Sequence, residues 1–242
     1  MGYHPLVCRR FKIIFFWNPH CGEAVLKRIV HELTTERYEK DVLSALGGNP
    51  RIYWADPSEL QTTYKDFKKV LVVRDPWSRL AHYVKDALIR KKTDFFIEKR
   101  HRMIDVRNTP TFELIKLLSI LNPDYFTESL EFQGSGLQGI SMDAVISFDS
   151  LESELASFLK DLSVPFESTT SCKNLKEDLE IEEGEILLMA RGYVGKVRPS
   201  CFHHGGLPAT NCFFDKESWD LLADVYGYDL KTFECLARPN PF

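Results

Sequence analysis

The sequence lacks the features that mark several common classes of protein. Its 31 basic and 35 acidic residues leave a formal charge of −4, so it has no excess of positive charge typical of general nucleic-acid binders. None of its six cysteines forms a CxxC pair, which argues against a zinc ribbon. No apolar run approaches the roughly 20 residues of a transmembrane segment, and the first residues do not resemble a signal peptide. These absences predict a cytoplasmic protein with reduced thiols and without a nucleic-acid partner.

The sequence does contain strand-like and helix-like segments in alternation. Residues 12–17 form a compact apolar run, and residues 23–33 place apolar side chains at helical spacing. Further strands are predicted at 51–55 and 70–73, and Pro76 follows the second of these where a helix can begin. This alternation predicts an α/β protein, a P-loop-like three-layer fold with a central parallel sheet flanked by helices.

The second half of the chain adds helices and one more strand. They are predicted at residues 111–118, 144–148, 149–162, 216–226 and 229–237. Thr111 is a cap-like residue for the first of these helices, and Asp149 or Ser150 is the expected cap for the helix at 149–162. No internal repeat or low-complexity linker divides the chain, so residues 1–242 are predicted to form a single domain.

Residues 15–28 carry the most informative pattern. An apolar strand ends at a turn, Asn-Pro-His-Cys-Gly, and a helix opens directly after it. Such a junction aims several backbone N–H groups and the positive end of the helix dipole at one place, which favours a phosphate group. The pattern is neither a Walker A loop nor GxGxxG, because the required glycines and the Lys-Ser/Thr pair are missing.

A second segment, residues 70–85, places an arginine where another buried strand ends. Open α/β sheets bind ligands at the carboxyl ends of their parallel strands. The guanidinium of Arg74 is suited to bidentate binding of a phosphate. Trp17 and Trp77 flank the two segments and are predicted to serve in packing rather than in base stacking.

Together these segments resemble the two nucleotide-binding signatures of sulfotransferases that use 3'-phosphoadenosine 5'-phosphosulfate (PAPS), most closely the carbohydrate sulfotransferase branch. The residues that match the first signature are Pro19, Gly22, Leu26, Lys27 and Arg28. Those that match the second are Arg74, Asp75, Pro76, Trp77, Arg79 and Leu80. The order of the two signatures and their separation also fit. The resemblance implies sulfuryl transfer from PAPS to a hydroxyl of a small molecule or glycan, with 3'-phosphoadenosine 5'-phosphate (PAP) as product and no metal.

The resemblance also implies roles for individual residues. The expected cofactor-binding residues are His20, Cys21, Gly22, Glu23, Ala24 and Val25 for the 5' end, Arg74 and His82 for the 3'-phosphate, and Lys196 and Arg198 in a late basic loop. His20 replaces the family's lysine, and His82 replaces a serine that binds the 3'-phosphate. Glu23 and Ala24 stand where the family has hydroxyl side chains. These departures are consistent both with a cofactor site that is adapted to different residues and with one that has lost its function.

The general base is not identified by the pattern. The candidates for this base are His31, Glu32, Asp56, His101, His203 and His204, while His20 and His31 are the expected catalytic residues. The acceptor pocket is expected from loops at 94–108, 122–142 and 200–212. The main alternative is a catalytically impaired protein of the same fold that binds a nucleotide or a partner. A P-loop-like kinase is a weaker alternative, since Walker A and a magnesium-binding aspartate are missing.

Overall fold

The protein, seen in a computed structural model, forms two compact units. The structure describes residues 5–34, 57–89, 95–97, 102–121, 126, 130–134, 137, 139–164, 195–196, 198, 208–236 and 241. The first unit comprises Met1–Val73 and Gln133–Leu175, and the second comprises Arg74–Phe132 and Lys176–Phe242. The single sulfotransferase-like domain over residues 1–242 stays a prediction.

Strands and helices alternate along much of the described chain. The strands are β1 (Leu6–Cys8), β2 (Ile13–Trp17), β3 (Lys68–Val73), β4 (Phe95–Ile97), β5 (Arg102–Asp105) and β6 (Ala144–Ser147). The α-helices are α1 (Glu23–Thr34), α2 (Pro57–Gln61), α3 (Pro76–Ile89), α4 (Thr111–Ile120), α5 (Leu151–Asp161), α6 (Lys216–Val225) and α7 (Gly227–Thr232). Short 3₁₀ turns cover Phe148–Ser150, Thr210–Phe213 and Glu234–Leu236.

The first unit is built on a four-stranded sheet in the order β1-β2-β3-β6. Strand β2 pairs in parallel with β3, and β3 pairs in parallel with β6, whereas β1 is antiparallel to β2. All five residues of β2 are buried, which explains its unbroken apolar sequence. The predicted α/β class is therefore confirmed. The sheet is mixed but mostly parallel, and it packs against helices. Strand β1 was not predicted, because three residues are too few to show a period.

The strand register brings three carboxyl ends to one edge of the sheet. Trp17, the last residue of β2, pairs with Val72, and Val73 at the end of β3 pairs with Ser147 at the end of β6. The loop after β2 and the turn after β6 therefore start from the same edge. This is the edge at which open α/β sheets place ligands.

A charged clip fixes the opposite end of the same sheet. Asp143 accepts hydrogen bonds from the Lys68 ammonium at 2.7 Å and from the Lys69 amide at 2.8 Å. Burial by itself raises the pKa of Asp143, but the bonds from Lys68 and Lys69 outweigh it and lower that pKa. The clip sets the register of β6 against β3, because the Asp143 amide also donates to the Lys69 carbonyl.

The second unit has a helical core. The indole of Trp77 on α3 stacks on that of Trp219 on α6, with ring centroids 4.0 Å apart and planes at 11°. Trp77 also donates from Nε1 to the carbonyl of Trp219. The prediction that Trp77 packs in the core is confirmed. The 94–108 stretch, predicted as an acceptor loop, contains the antiparallel hairpin of β4 and β5.

Helix ends differ from the sequence predictions in their chemistry. Pro110 occupies the cap position of α4 and Thr111 is its first helical residue, so the predicted Thr111 cap is wrong. Ser150 is the N-cap residue of α5 but makes no side-chain cap bond, because its hydroxyl donates to Glu154. The helix predicted at 229–237 is interrupted at Phe233, whose non-helical backbone ends α7. The strand predicted at 51–55 lies outside the described residues.

Candidate functional site

The loop after β2 has an unusual backbone. It contains two residues in the left-handed region, His20 at φ +65° and Gly22 at φ +88°, while Cys21 between them does not have a positive φ. The Cys21 amide donates to the Asn18 carbonyl at 3.1 Å, which closes the first turn of the loop. Turns with left-handed residues can form anion-binding nests, but the Cys21 amide is already used within this loop.

Helix α1 continues this concentration of backbone donors. Its first intrahelical bond runs from the Leu26 amide to the Gly22 carbonyl at 3.0 Å. The amides of Glu23, Ala24 and Val25 therefore belong to the first turn, where helix geometry supplies no acceptor four residues back. Helix α1 thus supplies the first-turn amides of the predicted phosphate site, whereas the Cys21 amide, also predicted as a donor there, is bonded to the Asn18 carbonyl. Phosphate binding at this junction stays a prediction.

Gly22 is required by space as well as by conformation. A Cβ built at this position would clash with the ring of Phe148 at Cε2. Phe148 follows β6 directly, so its ring reaches the loop that follows β2. The turn that carries it is held by Glu154, which accepts bonds from the Ser147 amide at 3.0 Å and from the Ser150 hydroxyl. Sequence reasoning did not identify Phe148 or Glu154, because their importance depends on tertiary contact.

The thiol of Cys21 faces the protein interior. Cys21 is fully buried, and its Sγ donates to Oε1 of the buried Gln133 at 3.4 Å. This contact anchors the loop from inside the first unit. A buried thiol argues against a nucleophilic role for Cys21, since catalytic cysteines are partly exposed.

The segment after β3 presents its arginine through a capped helix start. Asp75 accepts the Ser78 amide at 2.9 Å, and Pro76 is the first residue of α3, where its missing N–H costs no hydrogen bond. The Arg79 amide then makes the first intrahelical bond, to the Asp75 carbonyl. Asp75 and Pro76 thus set the turn that carries Arg74, the residue immediately after β3.

Arg74 and His82 are in direct contact within the second unit. The Nη2 atom of Arg74 lies 2.9 Å from Nε2 of His82, two turns further along α3. Arg74 is only 8% exposed. The sequence predicted both residues as ligands of a 3'-phosphate, and the structure brings them together as a hydrogen-bonded pair.

Arg79, the other arginine of this signature, has a structural role. It is 1% exposed, and its Nη2 lies 3.7 Å from Oδ2 of the fully buried Asp229. Its Nη1 donates to the Glu131 carbonyl at 2.9 Å, and its guanidinium lies 4.8 Å from the ring centroid of Tyr226. Tyr226 donates to the Leu130 carbonyl at 2.8 Å. The network ties α3, α7 and residues 130–131 together.

Burial shifts the ionisation of this network. Loss of solvent raises the pKa of Tyr226 to about 12, against the opposing effect of the nearby Arg79 charge. Tyr226 therefore remains protonated at neutral pH and keeps its hydrogen bond. Asp229 was not singled out in the sequence, since one aspartate in a polar terminal segment carries no distinguishing local pattern.

Of the two late basic residues, Lys196 lies near the start of α4 in the second unit. Lys196 is exposed, and its ammonium lies 5.1 Å from the ring centroid of Phe112. The Gly195 carbonyl accepts the Phe112 amide at 2.9 Å, which fixes this segment against the start of α4. Arg198 is also exposed. The closure of Lys196 and Arg198 over a nucleotide stays a prediction.

Most candidates for the general base are not described. Asp56, His101, His203 and His204 lie outside the described residues. The backbone of His31 is in α1, eight residues after Glu23, which corresponds to about 12 Å along the helix axis. The catalytic roles of His20 and His31 stay predictions.

Two kinds of feature are missing from the part of the chain that the structure describes. Over the described ranges, no three His, Cys, Asp or Glu side chains are grouped so as to hold a metal ion. None of the helices in those ranges combines the length and apolar character needed to cross a membrane.

Comparison of the chain with protein-family models, with curated proteins and with solved structures found no match. The assignment of a function therefore depends on the residues themselves.

Proposed function

We propose that the protein is a PAPS-dependent sulfotransferase that transfers a sulfuryl group to a hydroxyl of a small molecule or glycan. The observation that carries the proposal is the junction of β2 and α1, where left-handed His20 and Gly22 precede the amides of the first helical turn. Such a junction favours a phosphate or sulfate group by backbone donors alone. In this proposal it binds the 5'-phosphosulfate, and His20 stands where the family has a lysine.

The second support is Arg74, which follows β3 directly and is oriented by its contact with His82. In the proposal its guanidinium binds the 3'-phosphate, the group that distinguishes PAP and PAPS from ordinary adenine nucleotides. Sulfuryl transfer depends mainly on positioning and on charge stabilisation, as phosphoryl transfer does. Backbone amides and one oriented arginine are groups suited to those tasks.

Calorimetry with PAP tests the binding half of the proposal. Arg74→Ala should weaken PAP roughly 10- to 100-fold, the loss expected for charge-assisted hydrogen bonds. Adenosine 5'-monophosphate, which lacks the 3'-phosphate, should bind the variant and the unaltered protein equally. Lys231→Ala is the matched control, because Lys231 is an exposed cation of the same unit. Folded protein that does not bind PAP would overturn the proposal.

Transfer of radiolabelled sulfate from PAPS to a broad panel of hydroxyl acceptors tests the catalytic half. Turnover supports the enzyme. PAP binding without turnover on any acceptor would instead identify a catalytically impaired nucleotide-binding protein. Magnesium-dependent hydrolysis of ATP, with no response to PAP, would indicate the P-loop-like kinase alternative.

A further inference from the structure

We infer that His82 is a positioning residue: its neutral imidazole accepts a hydrogen bond from Arg74 and orients the guanidinium for an anionic ligand. The inference rests on the proposed function for the identity of that ligand, a 3'-phosphate. It differs from the role implied by the resemblance to sulfotransferases, in which residue 82 would contact the phosphate itself.

The chemistry of the contact fixes which group donates. An arginine guanidinium has five N–H donors and no acceptor, and it stays protonated in proteins. In the 2.9 Å contact, Nη2 of Arg74 must therefore donate and Nε2 of His82 must accept. A histidine nitrogen accepts only when it carries no proton, so the ring is neutral with its hydrogen on Nδ1.

A neutral acceptor has a particular advantage beside an arginine that binds an anion. A carboxylate at this position would orient the guanidinium but also cancel its charge, as Asp229 does for Arg79. The imidazole of His82 contributes direction without adding negative charge. Arg74 is 8% exposed, so its side chain is confined and small changes in its orientation matter for bidentate binding.

The spacing along the helix makes the contact possible. Arg74 precedes α3 and His82 lies about two turns into it. The arginine side chain therefore extends along the helix to reach the imidazole. The Asp75 cap and Pro76 hold the turn between them. In this inference His82 acts on the ligand through Arg74.

Nitrogen NMR of the ligand-free protein tests the contact directly. In protein labelled with ¹⁵N-histidine, the signals of His82 are assigned as those that disappear in the His82→Gln variant. Long-range proton–nitrogen correlations should then show that Nδ1 of His82 is protonated and Nε2 is not, near pH 7.5. The same tautomer should persist with PAP bound. A proton on Nε2 in either state would overturn the inference, since that nitrogen would then donate.

A double-mutant cycle with PAP tests the consequence. His82→Leu should weaken PAP about tenfold in the unaltered protein and less than twofold in the Arg74→Ala background. His82→Gln, whose Oε1 can replace Nε2 as acceptor, should restore the affinity, while the shorter His82→Asn should not. An equal loss in both backgrounds, or no loss from His82→Leu in folded protein, would overturn the positioning role.

The two proposals fail differently. If the folded, unaltered protein does not bind PAP, the proposed function is lost, while the tautomer of His82 in the ligand-free protein still reports whether it accepts from Arg74. If PAP binds and Arg74→Ala weakens it but the cycle shows independent contributions, the proposed function stands and the positioning role is lost.

Discussion

The segments after β2 and after β3 build their geometry in different ways. After β2 the chain uses backbone conformation: His20 and Gly22 are left-handed, and Gly22 lies against the ring of Phe148. After β3 it uses charged side chains that are almost fully buried, with Arg74 donating to His82 and Arg79 facing Asp229. The first should tolerate changes of polar side chains but not an added methyl group. The second should tolerate neither loss of a charge nor loss of its partner.

The largest effect is expected from Asp229→Ala. Removal of one member of a buried ion pair leaves the other charge without its counterion, which typically costs about 3–5 kcal/mol of unfolding free energy. Arg79 and Asp229 are 1% and 0% exposed, so solvent does not replace the carboxylate. Urea denaturation measures the loss.

Lys68→Ala is the control for that experiment. The pair of Lys68 and Asp143 is 49% and 31% exposed, and exposed pairs contribute about 1 kcal/mol or less. Equal losses from Asp229→Ala and Lys68→Ala would show that burial does not distinguish the two pairs.

Gly22→Ala should be the next most damaging change. A left-handed alanine costs about 1–2 kcal/mol. Displacement of Phe148 by the new methyl group adds about 1–3 kcal/mol, the usual range for overpacking. Gly139→Ala separates the two costs, because Gly139 has φ +81° and an added methyl group there would have nothing within 4 Å. Thermal denaturation of both variants measures the difference, and equal losses would contradict the importance of the Phe148 contact.

The raised pKa of Tyr226 predicts that the stability of the protein falls at alkaline pH. The pKa of Tyr226 is about 12 in the folded protein and about 10 in an unfolded chain, so unfolding releases a proton between these values. Stability from this group is complete below pH 10 and is lost as the pH rises toward 12, by about 1 kcal/mol at pH 11.

Tyr226→Phe removes that dependence. At pH 8 it should cost about 1 kcal/mol, the value of the bond to the Leu130 carbonyl, and near pH 11 it should be as stable as the unaltered protein or more so. Denaturant unfolding at both pH values makes the comparison. Parallel pH profiles for the two proteins would refute the shifted ionisation.

The smallest effect is expected from Glu23→Gln in the backbone-built loop. Loss of a negative charge from the first turn of α1 should reduce stability by about 0.3–1 kcal/mol, through the helix dipole. PAP affinity should rise up to about threefold at low salt, because a carboxylate near a bound phosphate repels it. Calorimetry with Glu59→Gln as the charge-matched control tests this. A clear loss of affinity would mean that the Glu23 side chain takes part in binding.

Much of the secondary structure around β2 and β3 was predictable from local pattern. The apolar run at 12–17 and the helical spacing after it identified β2 and α1 to within a residue or two. Pro76 identified the start of α3, because its missing N–H costs no hydrogen bond in the first turn of a helix. Short elements such as β1 and the hairpin of β4 and β5 were missed, since each contains too few residues to show a period.

By itself, the sequence determined the longer strands and helices and the residue types that stand at the carboxyl ends of β2 and β3. These properties depend on neighbours along the chain, and they carry the resemblance to PAPS-dependent sulfotransferases. Only the tertiary structure decided which distant residues are in contact. Phe148 lies against Gly22, Gln133 accepts a hydrogen bond from the Cys21 thiol, and Arg79 faces Asp229. Those contacts join residues about 110 to 150 positions apart, and no local pattern specifies a partner at that distance, because it is chosen by packing of the whole unit.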